Sequence, residues 1–132
     1  MARIEVSAVL PVLDEVESLG VLYRELTEVF EGLGRPYELI FVDDGSRDGS
    51  FEKLEKLHRG DDRVRVLRLR RNFGKAAALA VGFREARGEV IVTLDADLQD
   101  DPAELPRLLA RDRKSTRLNS SHVRLSRMPS SA

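Results

Sequence analysis

Four carboxylates follow one apolar segment within seven residues: Asp95, Asp97, Asp100 and Asp101 come after VIVTL, with Gln99 among them. Carboxylates at this density repel one another and resist burial, so the strand end that carries them needs a compensating charge. Mg²⁺ or Mn²⁺ would supply it, because both cations prefer oxygen ligands. In an extended chain, side chains two residues apart point the same way, which makes Asp95, Asp97 and Gln99 the candidate metal ligands. The alternative is a solvated acidic loop in which Asp101 caps the following helix.

The composition describes one globular domain without a bias towards a polyanionic partner. The chain has 132 residues, of which 42% are hydrophobic and 34% are charged, enough to build a core. No apolar run has the length of a membrane span, and no signal peptide opens the sequence. The lack of cysteine excludes disulfides and thiolate metal sites, and it fits the cytoplasm, which is the expected location. Residues 1–111 hold 17 basic and 22 acidic residues, a net charge of −5 that gives no indication of nucleic-acid binding.

The last 21 residues differ in composition from the rest of the chain. Residues 112–132 contain six serines, against four in the preceding 111, and show no sustained apolar period. A segment of this kind is expected to stay disordered or poorly packed, although its basic residues also fit an anion-binding tail. Its pieces RKSTRLNSSH and SRMPSSA resemble the conceptual translation of a sequencing-library adapter. We therefore interpret 112–132 as a non-native tail, and 1–111 as the N-terminal part of a domain.

Strand-like and helix-like patterns alternate along the body of the chain. β-Prone runs cover 4–10, 37–42, 64–69 and 90–94. Helical spacing covers 16–33 and 76–86, and further helices are predicted from about Ser50, capped by Asp48 or Ser50 itself, and from Pro102. This alternation implies right-handed crossovers and an α/β fold with a mostly parallel sheet between helices. Ligands bind beyond the carboxyl ends of such strands, where this chain places PVLDE, DDGSRD, RRNFGK and DADLQDD.

Four segments together resemble the family 2 glycosyltransferases, which have the GT-A fold. They are PVLDEVESL, VDDGSRDGS, RNFGKAAAL and LDADLQDDP, in the order and at the spacing usual for that family. The nearest match is the polyprenyl-phosphate branch, which includes dolichol-phosphate mannosyltransferases. The resemblance runs from about residue 4 to residue 109. It implies a Rossmann-like, mostly parallel sheet flanked by helices, the nucleotide-sugar-binding half of a truncated GT-A domain.

The resemblance also implies roles at the first two strand ends. Pro11, Leu13 and Glu15 would line the nucleotide pocket, with Glu15 reaching the ribose hydroxyls. Val42 and Asp44 would meet the base. Each role has a structural competitor, because Pro11 can simply end a strand, Glu15 can favour a helix N-terminus and Asp44 can form a turn. The family often has Tyr and Asn where this chain has Leu13 and Asp14, so a stacking or amide contact is lost there.

The remaining implied roles fall on the third and fourth strand ends. Asp95 and Ala96 would contact the nucleotide, while Asp95, Asp97 and Gln99 would hold Mg²⁺ or Mn²⁺. Asp97 is the candidate catalytic residue through that metal. Lys75 would lie close to the nucleotide or the sugar, and its alternative is a solvated surface charge.

The activity implied is transfer of a sugar, with inversion, from a UDP- or GDP-linked donor to a polyprenyl phosphate. The acceptor half would lie beyond residue 111, so we expect this chain to bind its donor without turnover. A full-length parent is expected at the cytoplasmic face of the membrane, and membrane association is expected only of that parent. Three alternatives remain at this point: a polysaccharide-extending transferase, a receiver-like signalling domain, and a non-catalytic nucleotide-sugar-binding module.

Overall fold

The computed structural model describes residues 3–97, 101–112 and 124–127. Its strands are β1 (Val6–Val12), β2 (Tyr37–Asp43), β3 (Val64–Arg68), β4 (Val90–Thr93) and β5 (Arg124–Arg127). Its helices are α1 (Val16–Leu33), α2 (Ser50–Gly60), α3 (Lys75–Glu85) and α4 (Leu105–Asp112), with a 3₁₀ turn at Pro102–Glu104 before α4. The predicted strands and helices of the body are all present, with ends that differ by at most two residues where both ends were predicted.

The sheet has the strand order β3-β2-β1-β4-β5, and its first four strands are parallel. The predicted mostly parallel α/β sheet is therefore confirmed. The chain moves outward from β1 through β2 to β3 and then returns to place β4 on the other side of β1. A receiver-like domain would have the order 2-1-3-4-5 instead. This topology excludes the receiver alternative.

Both faces of the sheet are buried, because alternate residues of each strand point to opposite sides. One face packs against α1, α2 and α4, and its core includes Leu10, Leu22 and Leu54, each with no exposed surface. The other face packs against α3, around Val9 and Ala78. The helices cover the two faces and leave the ends of the strands accessible, and the loops rich in polar residues follow the carboxyl ends.

The helix α3 lies unusually close to the sheet because it presents small residues to it. A Cβ atom placed on Gly82 would lie 2.3 Å from Cγ1 of Val9 in β1, far inside a normal contact distance. Ala78 is the alanine of this helix that is buried against the sheet, whereas Ala76 and Ala80 are exposed. That packing fixes where the N-terminus of α3, with Lys75, meets the edge of the sheet.

The strand β5 departs from the expectation for the tail. Residues 124–127 pair antiparallel with β4, Arg124 opposite Thr93 and Arg127 opposite Val90. The prediction of disorder throughout 112–132 is therefore wrong for these four residues and for Asp112, which ends α4. The physical reason is that β4 would otherwise present a row of unpaired N–H and C=O groups, which an extended segment satisfies. Residues 113–123 and 128–132 lie outside the described structure, and the non-native origin of the tail stays a prediction.

None of the helices in the described ranges is both long and apolar enough to cross a membrane.

Candidate functional site

A cavity of about 370 Å³ opens at the carboxyl ends of β1 and β4, where the strand order reverses. Ligands of open α/β sheets bind at such reversals, because the crossovers on either side diverge and leave a crevice. We call it the carboxylate cavity. Its lining contains eight of the predicted site residues: Pro11, Leu13, Glu15, Asp44, Lys75, Asp95, Ala96 and Asp97. Four of these eight are acids, and only Lys75 is basic.

The loop after β1 is held by the loop after β2. Asp14 has a φ of 54°, a left-handed conformation that Asp and Asn adopt more readily than other side chains. In this conformation its N–H donates to Oγ of Ser46 at 2.9 Å, and its Oδ1 accepts the N–H of Arg47 at 2.8 Å. The N–H of Glu15 donates to Oγ of Ser50 at 3.0 Å. The backbone that carries Leu13 and Glu15 into the cavity is thereby fixed from outside.

Asp44 fixes the loop after β3. It is buried, with 4% of its surface exposed, and its two carboxylate oxygens accept the N–H groups of Phe73 at 2.8 Å and Gly74 at 3.0 Å. Hydrogen bonds to a charged acceptor are among the stronger ones in proteins. Asp44 therefore has a positioning role that the sequence analysis did not assign. Each oxygen keeps a second lone pair for a ligand, so the predicted contact with a base stays possible chemically.

Lys75 is the first residue of α3 and pairs with a candidate metal ligand. Its Nζ lies 2.5 Å from Oδ1 of Asp95, with side chains that are 60% and 30% exposed. No side chain caps the N-terminus of this helix, where Gly74 stands at the cap position. The free N–H groups and the positive end of the helix dipole favour an anion at this place. One wall of the cavity thus suits an anionic ligand.

The acids in the lining make the rest of the cavity electronegative. Burial raises the pKa of Glu15 above its ordinary value, and the nearby carboxylates of Asp97, Asp48, Asp14 and Asp95 raise it further. Electrostatic repulsion between Glu15 and these carboxylates is thus one cause of the rise in pKa. A bound cation would relieve this repulsion.

The donor chemistry of the cavity fits a hard divalent cation. Among the described residues, no group of three or more His, Cys, Asp or Glu side chains is arranged to hold a metal ion. Mg²⁺, however, is commonly held by one or two carboxylates together with the phosphates of a substrate, and Asp95 and Asp97 provide two carboxylates in one cavity. Gln99, the third predicted ligand, lies outside the described residues. The last acid of the cluster has a different role, because Oδ1 of Asp101 accepts the N–H of Ala103 and caps the helical turn, as one alternative predicted.

The structure does not bring Val42 into the cavity. Its side chain has no exposed surface and packs on the α3 face of the sheet, because strand alternation turns it away from the edge. Asn72, in contrast, lines the cavity and was not among the predicted site residues. Its position in RRNFGK, directly after a strand, is the signal that could have identified it.

Comparison with known proteins gives a family for this arrangement. The model of the family "Glycosyl transferase family 2" matches residues 7–125, a range that passes residue 111 into the tail. Undecaprenyl-phosphate 4-deoxy-4-formamido-L-arabinose transferases of Salmonella paratyphi B and Salmonella newport are each 44% identical over 108 residues. That alignment covers 81% of this chain and 33% of each relative, so the chain spans about a third of their length.

Solved structures share the fold at lower identity. A mannosyltransferase from Pyrobaculum calidifontis, in complex with GDP-Man and Mn²⁺, superposes with a TM-score of 0.73 at 23% identity, over 87% of this chain and 34% of that one. TarS of S. aureus, in complex with UDP, superposes with a TM-score of 0.64 at 23% identity, over 83% and 32%. These likenesses establish the fold, and the family match over most of the chain establishes the membership. The chain belongs to glycosyl transferase family 2.

Proposed function

We propose that this chain is the donor-binding half of an inverting, metal-dependent glycosyltransferase whose acceptor is a polyprenyl phosphate. Residues 1–111 are, in this proposal, the N-terminal part of its GT-A domain. The acceptor class is supported by the relatives at 44% identity, which are named for undecaprenyl phosphate. The donor class is supported by the fold neighbours that hold GDP-Man or UDP.

The observation that carries the proposal is that the carboxylate cavity contains both positively charged groups and carboxylates. Lys75 and the uncapped N-terminus of α3 suit the phosphates of a nucleotide-diphosphate sugar. Glu15 presents a carboxylate that can accept hydrogen bonds from ribose hydroxyls. Asp44 lies in the same cavity and has acceptor capacity left for an N–H of a base. A ligand with a base, a ribose and a diphosphate matches these groups in one site.

The residues that would hold the divalent cation are Asp95 and Asp97, with Gln99 proposed as a third ligand. Bound there, the cation would act as a Lewis acid that stabilises the charge on the departing diphosphate. Positive groups of the chain itself would also stabilise the charge on the diphosphate. Lys75 and the N–H groups at the start of α3 are placed to offset charge on the phosphate oxygens. Asp44 keeps that helix start in place through Phe73 and Gly74.

Inversion follows from a single displacement in which the acceptor attacks the anomeric carbon opposite the leaving diphosphate. A phosphate acceptor is already anionic and hardly needs a general base, whereas a sugar hydroxyl would need one. The groups that would hold the acceptor belong to the two thirds of the relatives that this chain does not cover. The chain is therefore proposed to bind the donor without turnover.

Calorimetric titration with UDP- and GDP-linked sugars, in Mn²⁺ and in EDTA, tests the proposal. We expect one donor series to bind, and Mn²⁺ to strengthen its binding. Mn²⁺ should raise the donor affinity at least about tenfold less in Asp97→Asn than in the wild type, since a charge-assisted contact is lost. Asp62→Asn, an exposed acid distant in sequence from the site loops, is the matched control and should bind as the wild type does.

Two results would contradict the proposal. Absence of binding by every donor in Mn²⁺ would refute the donor site. Ordinary sugar transfer to a polyprenyl phosphate by the 132-residue chain would refute the proposed lack of turnover.

A further inference from the structure

A second and larger cavity adjoins the carboxylate cavity. It has a volume of about 730 Å³ and lies between the loop after β2 and residues 68–72 at the end of β3. Its lining includes four arginines, which are Arg47, Arg68, Arg70 and Arg71. We call it the arginine pocket. Leu13 and Asn72 are the lining residues that it shares with the carboxylate cavity.

The charge of this pocket is opposite to that of its surroundings. Residues 1–111 carry a net charge of −5, yet four arginines line one concave surface. One acid, Asp14, is among the lining residues that the structure describes, and its Oδ1 is already engaged with the N–H of Arg47. A surface lined by four positive side chains attracts anions.

Two of the arginines are held in place by aromatic rings. The guanidinium carbon of Arg68 lies 4.2 Å from the centre of the Phe51 ring, and that of Arg71 lies 4.9 Å from the centre of the Phe73 ring. Stacking of this kind restricts a guanidinium without using its hydrogen-bond donors. The pocket is therefore partly organised before any ligand arrives.

The other two arginines have donors available. Within the part of the chain that the structure describes, the side chains of Arg47 and Arg70 make no hydrogen bond and no ion pair. Arg68 makes one loose ion pair, 3.8 Å from Nε to Oδ2 of the buried Asp43. Each guanidinium carries five N–H donors in a planar fork that matches the oxygens of a phosphate.

The wall of the pocket depends on a close approach of two loops. Gly45 has a φ of 86°, and a Cβ atom there would lie 2.8 Å from the backbone nitrogen of Asn72. Only glycine allows the loop after β2 to touch residues 71 and 72 in this conformation. This contact brings the segment that carries Arg47 next to the segment that carries Arg70 and Arg71.

We propose that the arginine pocket binds a phosphate or diphosphate group at a site separate from the sugar-nucleotide donor. The number of guanidinium groups, their partial organisation by Phe51 and Phe73, and the available donors of Arg47 and Arg70 all match that chemistry. The phosphate belongs either to a free ion in solution or to a lipid headgroup. Both sources present the same oxygens to the pocket, and the two arms of the experiment separate them.

The first arm is titration of the chain with pyrophosphate in EDTA, so that no divalent cation carries the ligand into the carboxylate cavity. The test variant is the double substitution Arg47→Gln with Arg70→Gln. The matched control is Arg24→Gln with Arg84→Gln, which removes the same charge from exposed positions on α1 and α3. We expect binding that weakens with salt, an affinity at least about tenfold lower in the test variant, and an unchanged affinity in the control.

The second arm is co-sedimentation with vesicles of phosphatidylglycerol and, for comparison, of phosphatidylcholine. Binding to the anionic vesicles alone, reduced in the test variant and kept in the control, supports the pocket with a lipid phosphate as its ligand. Pyrophosphate binding with the same pattern supports it with a free phosphate. Circular dichroism of each variant establishes that it is folded.

Three results would overturn the proposal. The first is binding of neither pyrophosphate nor anionic vesicles by the wild type. The second is an equal loss in the test and control variants, which indicates a general effect of net charge. The third is loss of sugar-nucleotide binding together with phosphate binding in the test variant, which makes the pocket a part of the donor site. Because the pyrophosphate titration needs no nucleotide, failure of the proposed donor site leaves this test intact.

Discussion

Nζ of Lys75 lies 2.5 Å from Oδ1 of Asp95, so the residue that begins α3 neutralises a candidate metal ligand at the end of β4. The two residues are 20 positions apart in the sequence, and the reversal of strand order brings them together. A divalent cation that used the same oxygen of Asp95 would have to displace the ammonium group. In the proposed function, Lys75 and the cation would therefore compete for Asp95 before a donor binds, and both would contact the diphosphate of a bound donor.

Replacing Lys75 by methionine should tighten the binding of Mn²⁺ and weaken the binding of the donor. Exposed ion pairs contribute about 0–1 kcal/mol, so we expect Mn²⁺ to bind up to about fivefold more tightly. The electron paramagnetic resonance signal of free Mn²⁺ measures this affinity. Lys56→Met, at an exposed position of α2, is the control and should change neither affinity. Weaker Mn²⁺ binding by Lys75→Met would contradict the competition.

Replacing Asp44 by asparagine should loosen the loop after β3. Asparagine keeps one acceptor oxygen, and its NH₂ group replaces the other. That NH₂ group would face the N–H of Phe73 or Gly74, so that two donors would meet without an acceptor. We expect the free energy of unfolding in urea to fall by about 2–4 kcal/mol, and the amides of Phe73 and Gly74 to exchange faster with solvent. Asp62→Asn is the control, with a change within about 0.5 kcal/mol. An unchanged exchange rate at both amides would show that Asp44 does not position this loop.

Replacing Gly82 by alanine should destabilise the chain through overpacking. The added Cβ would meet Cγ1 of Val9 at 2.3 Å, and overpacking of a core costs about 1–3 kcal/mol. Gly32→Ala is a matched control, because Gly32 lies in α1 with nothing within 4 Å of the added atom. Alanine there should stabilise the helix by up to about 1 kcal/mol. Thermal unfolding of both variants measures the difference, and a rise in melting temperature for Gly82→Ala would contradict the close packing of α3.

Replacing Glu15 by glutamine should stabilise the chain at neutral pH and not in acid. Burial and neighbouring carboxylates raise the pKa of Glu15, so the folded state holds this proton more tightly than the unfolded chain does. Ionisation of Glu15 therefore destabilises the folded state at pH values above its raised pKa. This destabilisation is lost as the pH falls through the raised pKa towards 4.5. Glutamine removes the charge at every pH.

The measurement is the melting temperature of wild type and Glu15→Gln across that pH window. The variant should melt higher at neutral pH, and the two curves should converge as the pH approaches 4.5. Glu28→Gln, at an exposed position of α1, is the control and should show no such convergence. Mn²⁺ should narrow the gap at neutral pH, because a cation near Asp95 and Asp97 offsets the repulsion on Glu15. A constant gap at all pH values would contradict the electrostatic cause.

Much of the fold could be predicted because its signals are local. Apolar runs such as 39–42 identify strands that are buried on both faces, and the alternation of strands with helices leads to a parallel sheet. The carboxyl ends of those strands then define one edge, so the pattern of strands and helices suffices to place Pro11, Glu15, Asp44 and Asp95 together. The position of Val42 outside the cavity could not be predicted, because a motif match does not say to which side of a strand a side chain points.

The sequence by itself determined the fold class, the family and the loops that form the site, because apolar periodicity and short motifs are properties of neighbouring residues. Tertiary structure alone decided which loops touch. It gave Asp44 two backbone partners about 30 residues away, paired Lys75 with Asp95, and gathered Arg47, Arg70 and Arg71 around one space. The physical reason is that strand order and loop contacts depend on long-range packing, which no local pattern of residues records.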